Sequence, residues 1–104
     1  MYIIKMTELF EKKFYKLIPK ALQDQLWRRI NLLGSDPYAG KPLGSRYLRE
    51  MKLDKFRIYF TIFDDKVLVL LLDVSDKKGQ QRVIDSIKAH KHMLDEYIKN
   101  LNSE

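Results

Sequence analysis

The residues in this sequence best able to do chemistry are its cations, which gather in two stretches. From Lys41 to Arg57 there are six basic residues against two acidic ones, and from Lys77 to His92 there are five against one. The whole chain has a net charge of +6. Clustered positive charge is typical of a surface that binds a polyanion such as RNA or DNA, or an acidic protein. The sequence therefore predicts a partner of that kind.

Two arginines within predicted strands are candidates to hold a phosphate. Arg57 lies in the apolar run Phe56–Phe63, where its side chain either emerges on the solvated face by simple alternation or points into a shallow cleft. Arg49 lies in the preceding run, and on adjacent antiparallel strands the two side chains could share a face. Because the planar fork of a guanidinium matches phosphate oxygens, Arg49 and Arg57 would then hold a phosphate between them.

A second set of donors stands where the last predicted strand leaves the sheet. Lys77, Lys78 and Arg82 lie at or before the N-terminus of a predicted helix, whose backbone N–H groups suit an anion. Gln80 and Gln81 add neutral donors at the same place. This second set therefore extends the predicted anion-binding surface.

RNA is a substrate that such a surface can cleave without histidine. The 2′-hydroxyl is an internal nucleophile, so a protein needs mainly to align it and to stabilise charge on the phosphorane. Some group must also move protons, and a lysine serves as a base only when nearby like charges lower its pKa. The candidates for such a perturbed lysine are Lys52, Lys55, Lys77 and Lys78.

The sequence gives little support for other kinds of catalytic site. The two histidines, His90 and His92, point in different directions on a helix, and the chain has no cysteine. Gly40–Gly44 has no strand before it and no hydroxyl residue after its lysine, so it is not a nucleotide-binding loop. The paired carboxylates Asp64 and Asp65 fit a turn. We expect no metal and no cofactor.

The N-terminal part predicts a strand followed by a helical hairpin. The strand is Tyr2–Met6, and Thr7 caps the helix after it. Pro19 separates this helix from a second one at about Lys20–Leu33, with Gly34 at the C′ position. Each helix has one apolar stripe to bury against a sheet, formed by Phe10, Phe14, Leu17 and Ile18 in the first and by Leu22, Leu26, Ile30 and Leu33 in the second.

The C-terminal half predicts an antiparallel sheet and a final helix. The strands are Tyr47–Leu53, Phe56–Phe63 and Lys66–Asp73, with tight turns at Asp54-Lys55 and Asp64-Asp65. Ser75 or Asp76 is predicted to cap a helix running to about Asn100, whose last two turns project beyond the core. Met93, Tyr97 and Leu101 would then meet another protein or a second copy of the chain.

Length and composition set the class of protein. A chain of 104 residues with 45% hydrophobic residues fits one globular α+β domain over residues 1–104 and argues against disorder. No apolar run approaches membrane-spanning length, and Met1–Ile4 is too short for the apolar region of a signal peptide. We expect a soluble, cytoplasmic protein that does not bind membranes.

Taken together, the order and spacing of these pieces resemble the RelE/ParE superfamily of toxins from toxin–antitoxin pairs. The resemblance rests on the connector Asp36–Leu43, on Leu48–Glu50, on Arg57–Phe60 and on Leu70–Gln80, and it is closest to the addiction-module killer, or HigB-like, branch. It implies a small RNase-like domain that stalls growth until an antitoxin protein neutralises it. RelE-type members are implied to cleave mRNA in the ribosomal A site, whereas ParE-type members inhibit DNA gyrase and cut nothing.

The resemblance also implies roles for individual residues. Arg57 matches the strand arginine of the ribosome-dependent nucleases, and the strand with Arg49 and Lys52 matches the one that bears their catalytic lysines. The base-stacking tyrosine of RelE has no match, since Tyr97 comes too late. The candidate catalytic residues are Arg57, Arg49, Lys52, Lys77 and Lys78. The candidate RNA-binding residues are Lys41, Arg46, Lys55, Gln80, Gln81 and Arg82.

Three functions stay open at this point. The first is a toxin that acts as a metal-independent, ribosome-dependent mRNA endonuclease, with ribosome, mRNA and antitoxin as partners. The second is a non-catalytic inhibitor of gyrase, favoured by the missing tyrosine and the long final helix. The third is an inactive toxin-like domain. The oligomeric state is open between a homodimer and a heterotetramer with the antitoxin.

Overall fold

The computed structural model describes residues 1–90, which form an α+β fold of five strands and three α-helices. The strands are β1 (Ile3–Met6), β2 (Lys41–Pro42), β3 (Leu48–Leu53), β4 (Phe56–Phe63) and β5 (Leu68–Asp76). The helices are α1 (Glu8–Leu17), α2 (Lys20–Leu32) and α3 (Gln80–Ala89). Short 3-10 turns occupy Pro37–Ala39 and Asp64–Lys66. The predicted fold class is confirmed.

The strands form one sheet in the order β1-β5-β4-β3-β2. β1 runs parallel to β5, and the other neighbours are antiparallel. A two-residue turn at Asp54-Lys55 joins β3 to β4, so Leu53 pairs with Phe56 and the pairing continues along both strands. Asp54 has φ 55°, a left-handed conformation that aspartate tolerates in turns. This turn fixes which side chains of β3 and β4 share a face.

The helical hairpin covers one face of the sheet, as the sequence predicts. The Thr7 hydroxyl accepts a hydrogen bond of 3.1 Å from the Phe10 backbone N–H, which caps α1, and Pro19 precedes the first residue of α2. The core on this face combines both helical stripes with alternate residues of the strands, including Phe10, Phe14, Leu26, Ile30, Ile58, Phe60 and Leu71. The prediction for Leu17 is wrong, because its side chain is 36% exposed.

The opposite face of the sheet is partly covered by α3. Val83 and Ile84 pack against Tyr59 of β4, and Ile87 packs near the apolar residues of β5. Because α3 follows β5 after a short turn, its first residues lie over the end of the sheet that contains the β3–β4 turn. The residues discussed as a functional site lie on this face.

Several boundaries differ from the prediction. β1 and β3 each begin one residue later than predicted, and α2 ends one residue earlier. The last strand is Leu68–Asp76 rather than Lys66–Asp73, because the 3-10 turn reaches Lys66 and Val67 then takes a left-handed φ of 50°. The predicted helix cap at Ser75 or Asp76 is also wrong, since both residues belong to the strand and pair with Arg57 and Phe56.

Gly79 takes the position before α3, and the Asp76 carboxylate accepts its N–H at 2.9 Å. The helix predicted to continue to Asn100 ends at Ala89 within the described part. Residues 91–104, with His92, Met93, Tyr97 and Leu101, lie outside the described residues. Within residues 1–90, no helix is both long enough and apolar enough to cross a membrane.

Candidate functional site

Two rows of polar side chains cross the α3-covered face near the β3–β4 turn. Lys52, Arg57 and Ser75 stand in register on β3, β4 and β5. One step further along the strands stand Glu50, Tyr59 and Asp73. Of these six residues only Lys52 is exposed, and the other five are buried. Buried polar residues are uncommon in a sheet of this kind unless they are bonded or functional.

Arg57 is held against the β3–β4 turn. Its Nη1 donates hydrogen bonds to the carbonyl oxygens of Asp54, at 3.2 Å, and Phe56, at 3.0 Å. The side chain is 7% exposed. Of the two alternatives left open by the sequence, the structure therefore favours a side chain set into the surface over one that extends into solvent.

Glu50 is a site residue that sequence reasoning missed. It is 1% exposed, and its Oε2 accepts a hydrogen bond of 2.6 Å from Nε2 of Gln80, the first residue of α3. Among the described residues, two buried side-chain atoms have no hydrogen-bond partner, Glu50 Oε1 and Arg57 Nε. The sequence did indicate this position, because Glu50 and Lys52 are two residues apart in a strand and therefore lie on the same face.

Tyr59 and Ser75 form a buried pair between Glu50 and Arg57. The two hydroxyl oxygens are 2.8 Å apart. Burial raises the pKa of Tyr59 above its ordinary value, and the Glu50 carboxylate adds to this, while the Ser75 hydrogen bond and Arg57 oppose it. The phenol is therefore protonated and neutral at physiological pH.

The predicted cations near the β3–β4 turn lie together. Lys52 precedes the turn and Lys55 lies within it, and both are exposed. Lys77 and Lys78 are exposed and directly follow Asp76, whose partner across the sheet is Phe56. Four exposed lysines therefore lie at the same end of the sheet as Arg57. Such a group offers contacts to more than one phosphate.

Other predicted residues lie elsewhere. Arg49 pairs with Phe60 of the helix-covered core, so the register places it on the opposite face from Arg57, and the idea that the two share a phosphate is wrong. Its guanidinium donates to the carbonyl oxygens of Gly40, Tyr38 and Arg46 at 2.8–2.9 Å.

Arg46 lies over the rings of Tyr38 and Tyr47, at 5.1 and 5.7 Å from their centroids. The remaining predicted contact residues are spread along the surface. Lys41 is exposed in the edge strand β2, and Arg82 is exposed on α3. Gln81 donates to Asp85 within that helix at 2.9 Å.

At the end of the sheet away from the β3–β4 turn, Asp64 binds two tyrosine hydroxyls. Its two carboxylate oxygens accept hydrogen bonds from the hydroxyls of Tyr2, at 2.7 Å, and Tyr38, at 2.6 Å. These bonds, the one from Tyr38 first, hold the pKa of Asp64 below its ordinary value. β4 separates this cluster from the β3–β4 turn by about 23 Å, seven strand steps of about 3.3 Å. The cluster is therefore distinct from the polar rows.

A groove of about 620 Å³ lies on the α3-covered face toward the Asp64 end. Its walls are largely apolar and include Leu43, Leu48, Phe63 and Ile87, while Lys88 and Asp65 lie at its rim. Glu50, Lys52 and Arg57 do not line it. Within residues 1–90, no group of three or more His, Cys, Asp or Glu side chains is placed to hold a metal ion.

Comparison with known proteins gives the family of this fold. Residues 4–81 match the model described as the ParE toxin of the type II toxin–antitoxin system parDE. No curated protein matches the sequence significantly.

Several solved structures share the fold at low sequence identity. An E. coli RelE toxin variant in the free state superposes with a TM-score of 0.68 at 21% identity, covering 82% of this chain and 90% of that one. The toxin–antitoxin complex RelBE from E. coli gives 0.63 at 21% identity, with coverages of 73% and 96%. A toxin–antitoxin complex from Mycobacterium tuberculosis gives 0.64 at 20% identity, with coverages of 72% and 96%.

Proposed function

We propose that this chain, a member of the ParE toxin family of type II toxin–antitoxin systems, arrests growth by cleaving mRNA on the ribosome. The observation that carries the proposal is the guanidinium of Arg57, inset at the β3–β4 turn at the end of the sheet where four lysines are exposed. This arrangement supports binding of a polyanion through several phosphates, and the ribosomal A site is rich in them.

The proposed reaction is attack of an RNA 2′-hydroxyl on its own phosphate. The two backbone bonds of Arg57 fix the guanidinium plane, so its remaining N–H groups meet the developing charge of the phosphorane without reorganisation. Lys52, Lys77 and Lys78 hold the flanking phosphates and neutralise the leaving group. Lys55, Arg82 and Lys41 extend the binding surface, and Gln80 and Gln81 contribute at the start of α3.

Arg49 and Arg46 contribute indirectly in this proposal. Their guanidinium groups are tied to carbonyl oxygens and tyrosine rings, so they shape the connector between α2 and β3. The connector contains Gly40 and Lys41, and Lys41 pairs with Glu50 of β3.

A second function, inhibition of DNA gyrase without catalysis, is favoured by one specific observation. The family model that matches the chain is the ParE toxin model. Under this alternative the cationic rows bind a protein or DNA surface, and no RNA bond is broken.

Primer-extension mapping of mRNA shortly after induction separates the two functions. We expect new cleavage sites within translated frames for the wild-type chain and none for Arg57→Ala. Lys12→Ala is the matched control, because it also removes one cation but from the exposed surface of α1. Growth arrest with intact mRNA and inhibited supercoiling would instead establish the gyrase function, and cleavage that persists in a folded Arg57→Ala variant would remove Arg57 from the site.

For the partners, we propose a cognate antitoxin protein in the same cytoplasm. The similar structures include toxin–antitoxin complexes. An acidic or amphipathic antitoxin segment would complement the cationic face of this chain and mask it until the antitoxin is degraded.

A further inference from the structure

Among the described residues, the polar rows contain one buried carboxylate, Glu50, that has no ion-pair partner. Glu50 is 1% exposed, and the single ion pair within residues 1–90, Lys13 with Asp73, does not involve it. One of its oxygens accepts from Gln80 and the other, Oε1, has no partner among the described residues. A buried polar group left unpaired lowers the stability of a fold by about 1–3 kcal/mol. An apolar residue at this strand position would avoid that loss, so the presence of Glu50 calls for a functional reason.

The position of Glu50 supplies that reason. Its neighbour on the same face of β3 is Lys52, and its cross-strand partner Tyr59 is two residues from Arg57 on β4. The carboxylate therefore lies one row from the guanidinium proposed to meet the phosphorane. Arg57 Nε and Glu50 Oε1, the two buried atoms without a partner, belong to adjacent rows on one face. An acceptor next to a phosphate-binding donor is the pair that 2′-hydroxyl attack requires.

We propose that Glu50 is the general base of the RNA cleavage reaction and that Gln80 covers it until substrate binds. The inference rests on the proposed function. Oε1 takes the proton of the 2′-hydroxyl as the 2′-oxygen bonds to phosphorus. The bond from phosphorus to the 5′-oxygen then breaks, and this oxygen takes a proton from the ammonium of Lys52. The products are a 2′,3′-cyclic phosphate and a 5′-hydroxyl, and proton exchange with water restores both side chains.

The Gln80 side chain covers Glu50 and can be displaced. It is the first residue of α3, and its amide reaches the carboxylate across 30 residues of sequence through one hydrogen bond. Gln80 itself is partly exposed, so incoming RNA can displace its side chain without disturbing the buried apolar contacts of Val83 and Ile84. Displacement of Gln80 from Oε2 uncovers the carboxylate, and the ribose hydroxyl then donates to Oε1, the oxygen without a partner among the described residues.

The test is single-turnover cleavage of mRNA on purified ribosomes by the full chain, as a function of pH. Glu50→Gln keeps the shape of the side chain and loses its basicity, so we expect the rate to fall about 10²–10⁴-fold. We also expect the acidic limb of the pH profile to disappear, with the thermal midpoint unchanged. The control Glu11→Gln removes one exposed carboxylate from α1 and leaves both readouts as in the wild type.

A substrate with sulfur in place of the scissile 5′-oxygen separates a base from an acid. Its leaving group needs no proton, so a general base at Glu50 predicts that Glu50→Gln loses as much rate on this substrate as on normal mRNA. A loss that disappears on the sulfur substrate would overturn the assignment. If Glu50→Gln does not fold, Glu50→Asp is the second variant. Its shorter side chain moves the carboxylate away from the substrate, so we expect a slower cleavage rate and a pH profile that keeps its acidic limb.

The outcomes distinguish this inference from the function on which it rests. Cleavage by the wild type with an unchanged rate in folded Glu50→Gln overturns the role of Glu50 alone. Absence of cleavage by the wild type overturns the proposed nuclease function, and the role of Glu50 falls with it.

Discussion

Replacing Gly40 by alanine tests how the connector between α2 and β3 supports the site. Gly40 has an ordinary backbone, with φ −70°, so alanine brings no conformational strain. The problem is space. An added Cβ would lie 2.8 Å from the backbone oxygen of Glu50 and 2.8 Å from Cζ of Phe60. Both distances are well below van der Waals contact.

Neither neighbour can easily move. The Phe60 ring is 0% exposed within the helix-covered core, and the Glu50 oxygen belongs to the backbone of β3. Overpacking of this kind typically costs about 1–3 kcal/mol. For a domain of this size, each kcal/mol lowers the Tm by roughly 4–8 °C, so a fall of roughly 5–20 °C is expected.

The assay is thermal and urea unfolding of the purified chain, with Gly79→Ala as the matched control. A Cβ at Gly79 would lie 3.5 Å from its nearest atoms, an ordinary contact, and its φ of −86° suits alanine. We therefore expect Gly79→Ala to unfold close to the wild-type temperature. Equal stability of Gly40→Ala and Gly79→Ala would refute the steric reasoning. Because Lys41 pairs with Glu50, Gly40→Ala is also expected to slow RNA cleavage.

Two further predictions concern the ends of the connector and of the sheet. Arg49→Lys should lower the free energy of unfolding by about 1–3 kcal/mol, because a lysine ammonium cannot reach the three carbonyl oxygens that the guanidinium joins; urea unfolding that matches the wild type would contradict this structural role. Asp64 has a lowered pKa in the folded state, so its contribution to stability is present above its unfolded pKa and is lost as the pH falls through the folded value. Acid unfolding of Asp64→Asn should therefore depend less on pH in that acidic range, and an unchanged pH dependence would show that the hydroxyls of Tyr2 and Tyr38 do not stabilise the charged form.

Much of the fold could be predicted because local signals agree with each other. Thr7, Pro19 and Gly34 mark helix ends in the structure as they do in the sequence. The turn at Asp54-Lys55 also contained more information than the prediction used. A two-residue turn pairs Leu53 with Phe56, which pairs Lys52 with Arg57 and Arg49 with Phe60. Counting along the two strands would therefore have separated Arg49 from Arg57.

Other features depend on contacts between distant segments. The hydrogen bond from Gln80 to Glu50 requires α3 to return over β3, which no local pattern specifies. The shift of β5 depends on the left-handed conformation of Val67, a β-branched residue for which that conformation is unusual. Backbone hydrogen bonds hold it there, because the Val67 N–H donates to the Asp64 carbonyl oxygen at 3.1 Å and the Val67 carbonyl oxygen accepts from the Ile3 N–H at 2.8 Å. The sequence alone predicts the commoner geometry.

The two ends of the sheet explain why counting cations did not locate the site. Near Asp64, arginine donors are already used by carbonyl oxygens and their guanidinium groups lie over tyrosine rings. Near the β3–β4 turn, lysines are exposed and a buried carboxylate keeps one oxygen unpaired within residues 1–90. A bound phosphate gains most where donors are not already used, because it then replaces water rather than a protein hydrogen bond. The same argument assigns Arg49, whose Nε, Nη1 and Nη2 all donate to carbonyl oxygens, to the connector. It assigns the chemistry to the row of Lys52 and Arg57, because Arg57 uses only Nη1 in this way.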